Sequence, residues 1–448
     1  MRTVPLDAAA RGRLRADEDF YRSVRPWLLL RPEDSVLIVP PNRVYKLGGS
    51  ALPLAAWLDA GGRLAELPGL DAARALELGR FFDELRAAYE GREPAGGFAR
   101  VRYGFDFTRL PVLGEVALTY RCNERCRFCY AGCGPAGESP CGAGRRDAPE
   151  LATEEWKRII RILKEEAKIP FFSFTGGEPL LRPDLEELAS FAASLGLRTN
   201  LITNGSLATP SRAASIKAAG IDTAQVSLES PEGPVHDALC GVEGAWAATR
   251  AGIAALLGAG IAVQTNTTIT RENAEGLPRL PAFLGSLGVR RFSMNLFIPS
   301  GRGLANEGLF LPYSEVGAVV DAVRRAALEA GLSFLWYSPT PYCLYNPVAR
   351  GLGNKSCAAA DGLVHVAPSG SILPCSSWPE SLGSLLERGF GEIWFSERAT
   401  YLKNKRFAPP SCEGCPSFAA CQGACPLYWE YAGTGELALA AGAAGGRS

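Results

Sequence analysis

Histidine is nearly missing from this chain: His236 and His365 are the only two in 448 residues, too few for a zinc or iron site built on imidazole. Neither sign of charge dominates, with Lys+Arg and Asp+Glu at 47 each, so no global field favours nucleic acid or an anionic membrane. No run of about 18 apolar residues is present to span a bilayer. The opening stretch MRTVPLDAAARGRLRADEDF lacks the apolar segment of a secretory signal. These absences lead us to expect a cytoplasmic protein with neither nucleic acid nor membrane as partner. Cysteine, by contrast, is plentiful, and thirteen thiols without an export signal read as metal ligands rather than disulfides. The length allows two or three domains and a sizeable core.

Three regions and a tail follow from the patterning. In residues 1–95, SVLIVPPNRVYKL reads as two short strands across a Pro-Asn turn. ALPLAAWLDAG and DAARALELGRFFDELRAAYEG then read as helices, which makes a small winged-helix-like domain ahead of an EPAGG linker. Residues 111–330 alternate strand and helix. The expected strands are Glu115–Tyr120, Phe171–Phe174, Arg198–Thr203, Thr223–Leu228, Ile261–Ile269 and Arg291–Phe297. The expected helices are Thr153–Ala167, Asp184–Leu195, Pro210–Ala219, Gly244–Gly258, Ala274–Leu287 and Pro312–Ala330. Such α/β alternation implies a parallel sheet with right-handed crossovers, either a partial barrel or an open doubly wound sheet. Residues 340–432 are rich in Cys and Pro with little periodicity, as in a metal-stapled domain, and 433–448 form a low-complexity tail.

Cys122, Cys126 and Cys129 stand at spacing C-x3-C-x2-C in TYRCNERCRFCYAGCG. Three thiolates on one loop can hold three corners of a cubic iron–sulfur cluster and leave the fourth iron open. A zinc knuckle would also use close cysteines. The strand-like GEVALTY before the loop and the helix after it place it where α/β enzymes keep active sites. The run resembles the signature of the radical S-adenosylmethionine (SAM) enzymes. That resemblance implies a partial (β/α)6 TIM-like barrel and a 4Fe-4S cluster whose unique iron is chelated by SAM. It also implies reductive cleavage of SAM to a 5′-deoxyadenosyl radical, with electrons from a flavodoxin- or ferredoxin-type donor.

Further motifs extend the resemblance. Gly176, Gly177, Glu178 and Pro179 in FTGGEPLLRP resemble the family's GGEP motif, which contacts the methionyl amine; by themselves they could form an ordinary turn. VSLESPEGPVHDALCG resembles a fourth-strand segment of maturases, which implies Ser227 as a SAM contact, although a Ser also caps strand ends. Cys240 stands where the family commonly has an Arg near the SAM carboxylate, and an inert buried thiol is the plainer reading of it. Asn266 and the run Phe297–Gly303 resemble fifth- and sixth-strand SAM contacts.

The C-terminal cysteines follow C-x12-G-x4-C (Cys357, Gly370, Cys375) and C-x2-C-x5-C-x3-C (Cys412, Cys415, Cys421, Cys425). They resemble the SPASM extension, which implies one or two auxiliary iron–sulfur clusters; a four-cysteine zinc site is the rival. By the family's crossed pattern, Cys343, Cys357, Cys375 and Cys425 would hold the first cluster, and Cys412, Cys415 and Cys421 the second. The family's final cysteine is missing, so the second cluster would be open or capped by a residue such as Glu430 or Glu436. Cys133 and Cys141 read as free thiols. The N-terminal region resembles the peptide-recognition domains fused to many such enzymes, which take a leader peptide as an added strand. Val36, Ile38 and Val44 would then pack beneath it, and a structural cap is the alternative. The expected function is a peptide- or protein-modifying radical SAM enzyme. A role in small-molecule cofactor or modified-haem biosynthesis, or a non-catalytic Fe–S or zinc scaffold, are the alternatives.

Overall fold

A computed structural model describes residues 6–39, 43–90, 92, 108–135 and 150–438. The expected Pro-Asn turn, the EPAGG linker, Cys141 and the end of the tail lie outside these residues. The chain divides into two units, Met1–Leu113 and Gly114–Ser448.

The first unit comprises α1 (Ala8–Val24), β1 (Leu29–Arg31), β2 (Val36–Val39), β3 (Arg43–Lys46), α2 (Ala51–Asp59) and α3 (Ala72–Glu90). The Asp7 carboxylate caps α1 by accepting the Ala10 N–H. The helices bury Leu14, Tyr21, Leu58, Phe82 and Leu85 with Leu37 of the sheet. The strands pair antiparallel in the order β1-β2-β3. Helix α1 and strand β1 were not expected; three residues are too few for a strand pattern to show. One expectation is corrected. Val36 and Ile38 lie on the central strand and are 0% exposed, so of the three residues named only Val44 is on an edge. A buried Arg31–Asp34 ion pair lies close by, and Arg31 also donates to the Leu110 and Pro111 carbonyls.

The second unit opens with β4 (Leu113–Ala117), α4 (Thr153–Glu165), β5 (Phe171–Thr175), α5 (Leu185–Ser194), β6 (Arg198–Thr203), α6 (Pro210–Ala218) and β7 (Ile221–Ser227). It continues with α7 (Gly233–Cys240), α8 (Ala245–Gly258), β8 (Ala262–Ile269), α9 (Leu280–Ser286), β9 (Arg291–Leu296), α10 (Tyr313–Glu329) and β10 (Ser333–Trp336). All seven strands run parallel in a partial barrel. The expected helix Ala274–Leu287 is shortened to α9, because Pro278 and Pro281 each remove a backbone donor. Successive strand residues alternate between two faces. Phe172, Phe174, Leu201, Val226 and Met294 are fully buried on one side. On the other, Asn200 donates to Ser173 and accepts from Thr223, and Gln264 donates to Gln225 and Ser293.

Past β10 the regular elements are short: β11 (Leu363–Val366), β12 (Ser371–Leu373), β13 (Gly383–Ser384), α11 (Phe390–Trp394), α12 (Glu397–Lys403), α13 (Phe418–Cys421) and α14 (Pro426–Ala432). The antiparallel strands β11-β12-β13 continue the barrel sheet beyond β4. Helix α14 docks on α10 through Tyr428 stacked on Tyr313, ring centroids 3.7 Å apart. Glu436 accepts the Ser314 N–H at 2.7 Å and the Tyr428 hydroxyl, while Glu430 lies on the exposed face of α14. Glu436 therefore braces α10. No helix among the described residues is long and apolar enough to cross a membrane.

Candidate active site at the C-terminal ends of the strands

Each expected site segment in the barrel lies at or just past the C-terminal end of a strand, except Asn266, which lies within β8. Cys122, Cys126 and Cys129 are on the loop after β4, and Gly176–Pro179 follow β5. Ser227 ends β7 and pairs in register with Asn266 of β8. Asn266 in turn donates to Asn295 at 2.7 Å and accepts from Ser293 at 2.9 Å.

The cysteine loop is held by its neighbours' backbones. The Cys122 N–H donates to the Gly134 carbonyl, and the Arg125 and Arg127 N–H groups donate to Cys240 and Leu239 at 3.0 and 2.9 Å. The turn after β5 presses against the same loop, with the Gly177 N–H on Thr119 O and the Glu178 N–H on Arg121 O at 2.7 and 2.9 Å. A Cβ at Gly176, whose φ is +141°, would sit 2.2 Å from Thr119 O, and one at Gly177 would sit 2.2 Å from Arg121 O. The double glycine is thus required by contact with the cysteine loop. Glu178 is fully buried and turned inward, accepting from Leu180 N, Thr203 Oγ1 and Asn204 N at 2.8–2.9 Å. Its carboxylate braces the turn. Burial pushes its pKa up to about 7.

The run Phe297–Gly303, expected to contact the cofactor, also clamps the cysteine loop through Arg302. The Arg302 N–H donates to Cys129 O at 3.0 Å, and its guanidinium donates to the Cys126 and Gly132 carbonyls. Asn306, which the motifs did not single out, donates to Arg127 O at 3.1 Å. Hydrogen bonds from the Cys133 thiol, and then from the Cys133 and Ala131 N–H groups, outweigh burial and bring Cys129 down to about 6. The Arg302 charge works in the same direction. Cys133, expected as a free thiol, is a direct neighbour of Cys129.

Cys240 lies beside Cys126. Glu124, Cys126 and Cys240 place one ligand atom each within 4.8 Å of one another. His236 Nδ1 accepts the Glu229 N–H at 3.1 Å, so its proton is on Nε2, 3.4 Å from Cys240 Sγ. Burial lowers the His236 pKa to about 4 and raises Glu124 to about 7. A hydrogen bond with Cys240, then burial, drives Cys126 upward.

A second polar pair escaped the motifs. Glu115, on the inner face of β4 in register with Ser173, meets His365 Nδ1 of β11 at 2.9 Å. His365 is 0% exposed. Its only signal in the sequence was a polar residue within the apolar strand LVHV.

The donor set fits iron–sulfur clusters. Cys122 accepts from Glu124 N, Cys129 from Cys133 N and Cys421 from Tyr342 N at 3.2–3.5 Å. Backbone N–H groups also reach Cys357, Cys375 and Cys425. Burial raises these last three as free thiols, so metal coordination is what would hold them as thiolates. N–H donors aimed at sulfur are the environment that such clusters use.

The profile of the radical SAM superfamily matches residues 116–284, and that of the SPASM iron-sulfur cluster-binding domain matches residues 357–416. An AdoMet-dependent heme synthase of Methanosarcina barkeri is 29% identical over 73% of this chain and 95% of its own length. A PqqA peptide cyclase of Xanthomonas euvesicatoria is 28% identical over 70% and 82%. The crystal structure of Streptococcus suis SuiB superposes with a TM-score of 0.65 at 16% identity, covering 90% of this chain and 95% of that one. An anSMEcpe structure with bound AdoMet gives a TM-score of 0.55 at 16% identity over 74% and 96%. The chain is therefore a radical SAM enzyme with a SPASM domain, using 4Fe-4S chemistry and S-adenosylmethionine.

Proposed function

We propose that this enzyme modifies a precursor peptide. The observation that carries the reading is the extent of the likeness to SuiB: 90% of the chain, more than residues 114–448 supply alone. One SuiB structure is described as bound to its precursor peptide SuiA. In this chain β3 pairs only with β2 among the described residues, which leaves an edge that can take an added strand.

In this reading Cys122, Cys126 and Cys129 hold the SAM-binding cluster. The backbone of Gly176–Pro179, with Ser227 and Asn266, orients SAM. Cys343, Cys357, Cys375, Cys412, Cys415, Cys421 and Cys425 serve the auxiliary clusters. When bound, cluster and SAM supply a 5′-deoxyadenosyl radical that abstracts a substrate hydrogen. Arg302 and Asn306 keep the cysteine loop closed, Glu178 fixes the turn beneath it, and the polar inner strand face orients the substrate. A low-potential flavodoxin- or ferredoxin-type protein donates the electron.

A tetrapyrrole substrate is the second reading, favoured by the heme synthase relative that this chain covers to 95% of its length. Anaerobically reconstituted full-length enzyme should be offered SAM, reductant and either a short peptide encoded beside its gene or a carboxylated porphyrin. We expect a peptide mass change with 5′-deoxyadenosine release, both lost in a Cys122→Ala, Cys126→Ala, Cys129→Ala variant. Turnover of the porphyrin alone would reverse the assignment.

A further inference from the structure

Two separate sets of contacts hold the seven C-terminal cysteines. Cys343 is exposed and sits on a turn in which the Leu344 and Tyr345 N–H groups both donate to Pro341 O at 2.9 Å. That turn is tied on two sides. The Tyr345 hydroxyl donates to Asp321 of α10 at 3.1 Å, and the Tyr342 N–H donates to Cys421 Sγ at 3.4 Å. Burial first, and then the charges of Cys421 and Cys415, raise the Cys343 thiol, and Cys343 is itself among the charges that raise Cys412.

The other three cysteines form a separate set, with Cys357 buried and Cys375 and Cys425 partly buried. Cys375 and Cys425 pack on one apolar cluster with Ala360, Trp378 and Leu427. The Ala360 N–H joins the Cys357 and Cys375 loops by donating to Pro374 O at 2.9 Å. Lys405 closes the base, with Nζ 2.7 Å from Cys357 O and 2.8 Å from Asp361. Cys357 and Cys375 are the thiols acting on Cys425.

Cys421 and Cys425, only four residues apart, fall in different sets because the chain reverses between them. Gln422, Gly423 and Ala424 all have positive φ (59°, 77° and 63°), which is unusual for the two that carry a side chain. Cys421 ends α13, whereas Cys425 is the N-cap of α14.

We propose that Cys343 completes the second auxiliary site with Cys412, Cys415 and Cys421, leaving Cys357, Cys375 and Cys425 as a three-thiolate site with its fourth position open. Cys343 thereby replaces the missing final cysteine of the family pattern. This assignment is independent of which substrate the enzyme uses.

The test takes two full-length backgrounds, one with Cys412, Cys415 and Cys421 changed to Ala and one with Cys357, Cys375 and Cys425 changed to Ala. Each is compared with and without Cys343→Ala for iron content and for the spectrum of the reduced clusters. In the first background Cys343→Ala should change neither quantity. In the second it should shift the remaining auxiliary signal or remove about four irons. The reverse pattern, or a change in both backgrounds, would overturn the proposal. Should either background fail to fold, single Cys→Ser variants retain an oxygen ligand and decide the matter. The signal shifted by Cys343→Ser should be the one shifted by Cys421→Ser; coincidence with Cys375→Ser would reject the assignment. In the wild type, with SAM added to cover the open iron of the first cluster, cyanide should perturb, of the two auxiliary signals, only the one that Cys375→Ser shifts, and a shift of the other auxiliary signal alone would place the open iron in the second site.

Discussion

At the scale of single residues, the contact between Cys126 and Cys240 has chemical consequences. Their sulfurs lie within 4.8 Å in a buried pocket, close enough that a modest movement forms a disulfide when no metal occupies Cys126. Aerobically purified apo-protein should therefore contain a Cys126–Cys240 linkage, visible in a peptide map, and should take up the first cluster only after reduction. Cys240→Ala should accept that cluster without a reducing step; equal dependence on reductant in both proteins would show that the pair does not oxidise. Glu229 gives a second prediction. Its pKa rises from 4.5 to about 8, because burial outweighs the hydrogen bond from the Thr268 N–H. Below pH about 4.5 both folded and unfolded chains are protonated there. As pH rises from 4.5 to 8 the unfolded chain loses its proton first, so stability falls, and the loss is complete above 8. Glu178 and Glu124 act alike but only up to about 7. Cys129, brought down to about 6, acts in the opposite direction in both proteins, so the readout is a difference: the urea midpoint of wild-type apo-protein relative to that of Glu229→Gln should decline from pH about 4.5 to about 8 and level off above it.

At the scale of elements, the free edge of β3 can be resolved residue by residue. The Leu47 N–H donates to Ser35 O directly across the pair. Hydrogen-bonded pairs alternate along an antiparallel ladder, so Arg43 and Tyr45 face β2 while Val44 and Lys46 turn their N–H groups outward. Val44→Pro removes an outward donor and leaves the ladder to β2 intact. It should weaken binding of a leader peptide several-fold in a fluorescence titration, with SAM cleavage in the absence of substrate unchanged. Undiminished binding would move the docking strand to β1. The barrel strands were legible in the sequence because βα units repeat a strong apolar period, and the metal loops because cysteine spacing is local. Of the elements that were missed, β1 and β10 are short and α7 overlaps a motif segment, whereas α1 is long but mostly polar, burying only Leu14, Asp17, Tyr21 and Val24. The Glu115–His365 pair was invisible because it joins strands 250 residues apart. The partition of the cysteines proposed above is hidden in the sequence for a similar reason: it depends on the reversal at Gln422–Ala424, which separates Cys421 from Cys425.

For the molecule as a whole, the region past β10 has little regular structure of its own and is organised around sulfur. Structure that depends on metal ligands should loosen when the metal is stripped. Limited proteolysis of chelated protein should cut within residues 342–432, while reconstituted protein resists there and the barrel resists in both states. Equal cutting would show that the apolar contacts, Tyr313 on Tyr428 among them, suffice without iron. The shared sheet has a further consequence for anyone building hybrids. Because β11 lies directly beside β4, and His365 of one meets Glu115 of the other, the boundary between the barrel and the cysteine-rich region is a strand seam rather than a tether. A C-terminal region transplanted from another enzyme must bring a partner for Glu115 and a matching strand edge, or the graft will expose the side of the barrel that begins with the cysteine loop's own strand.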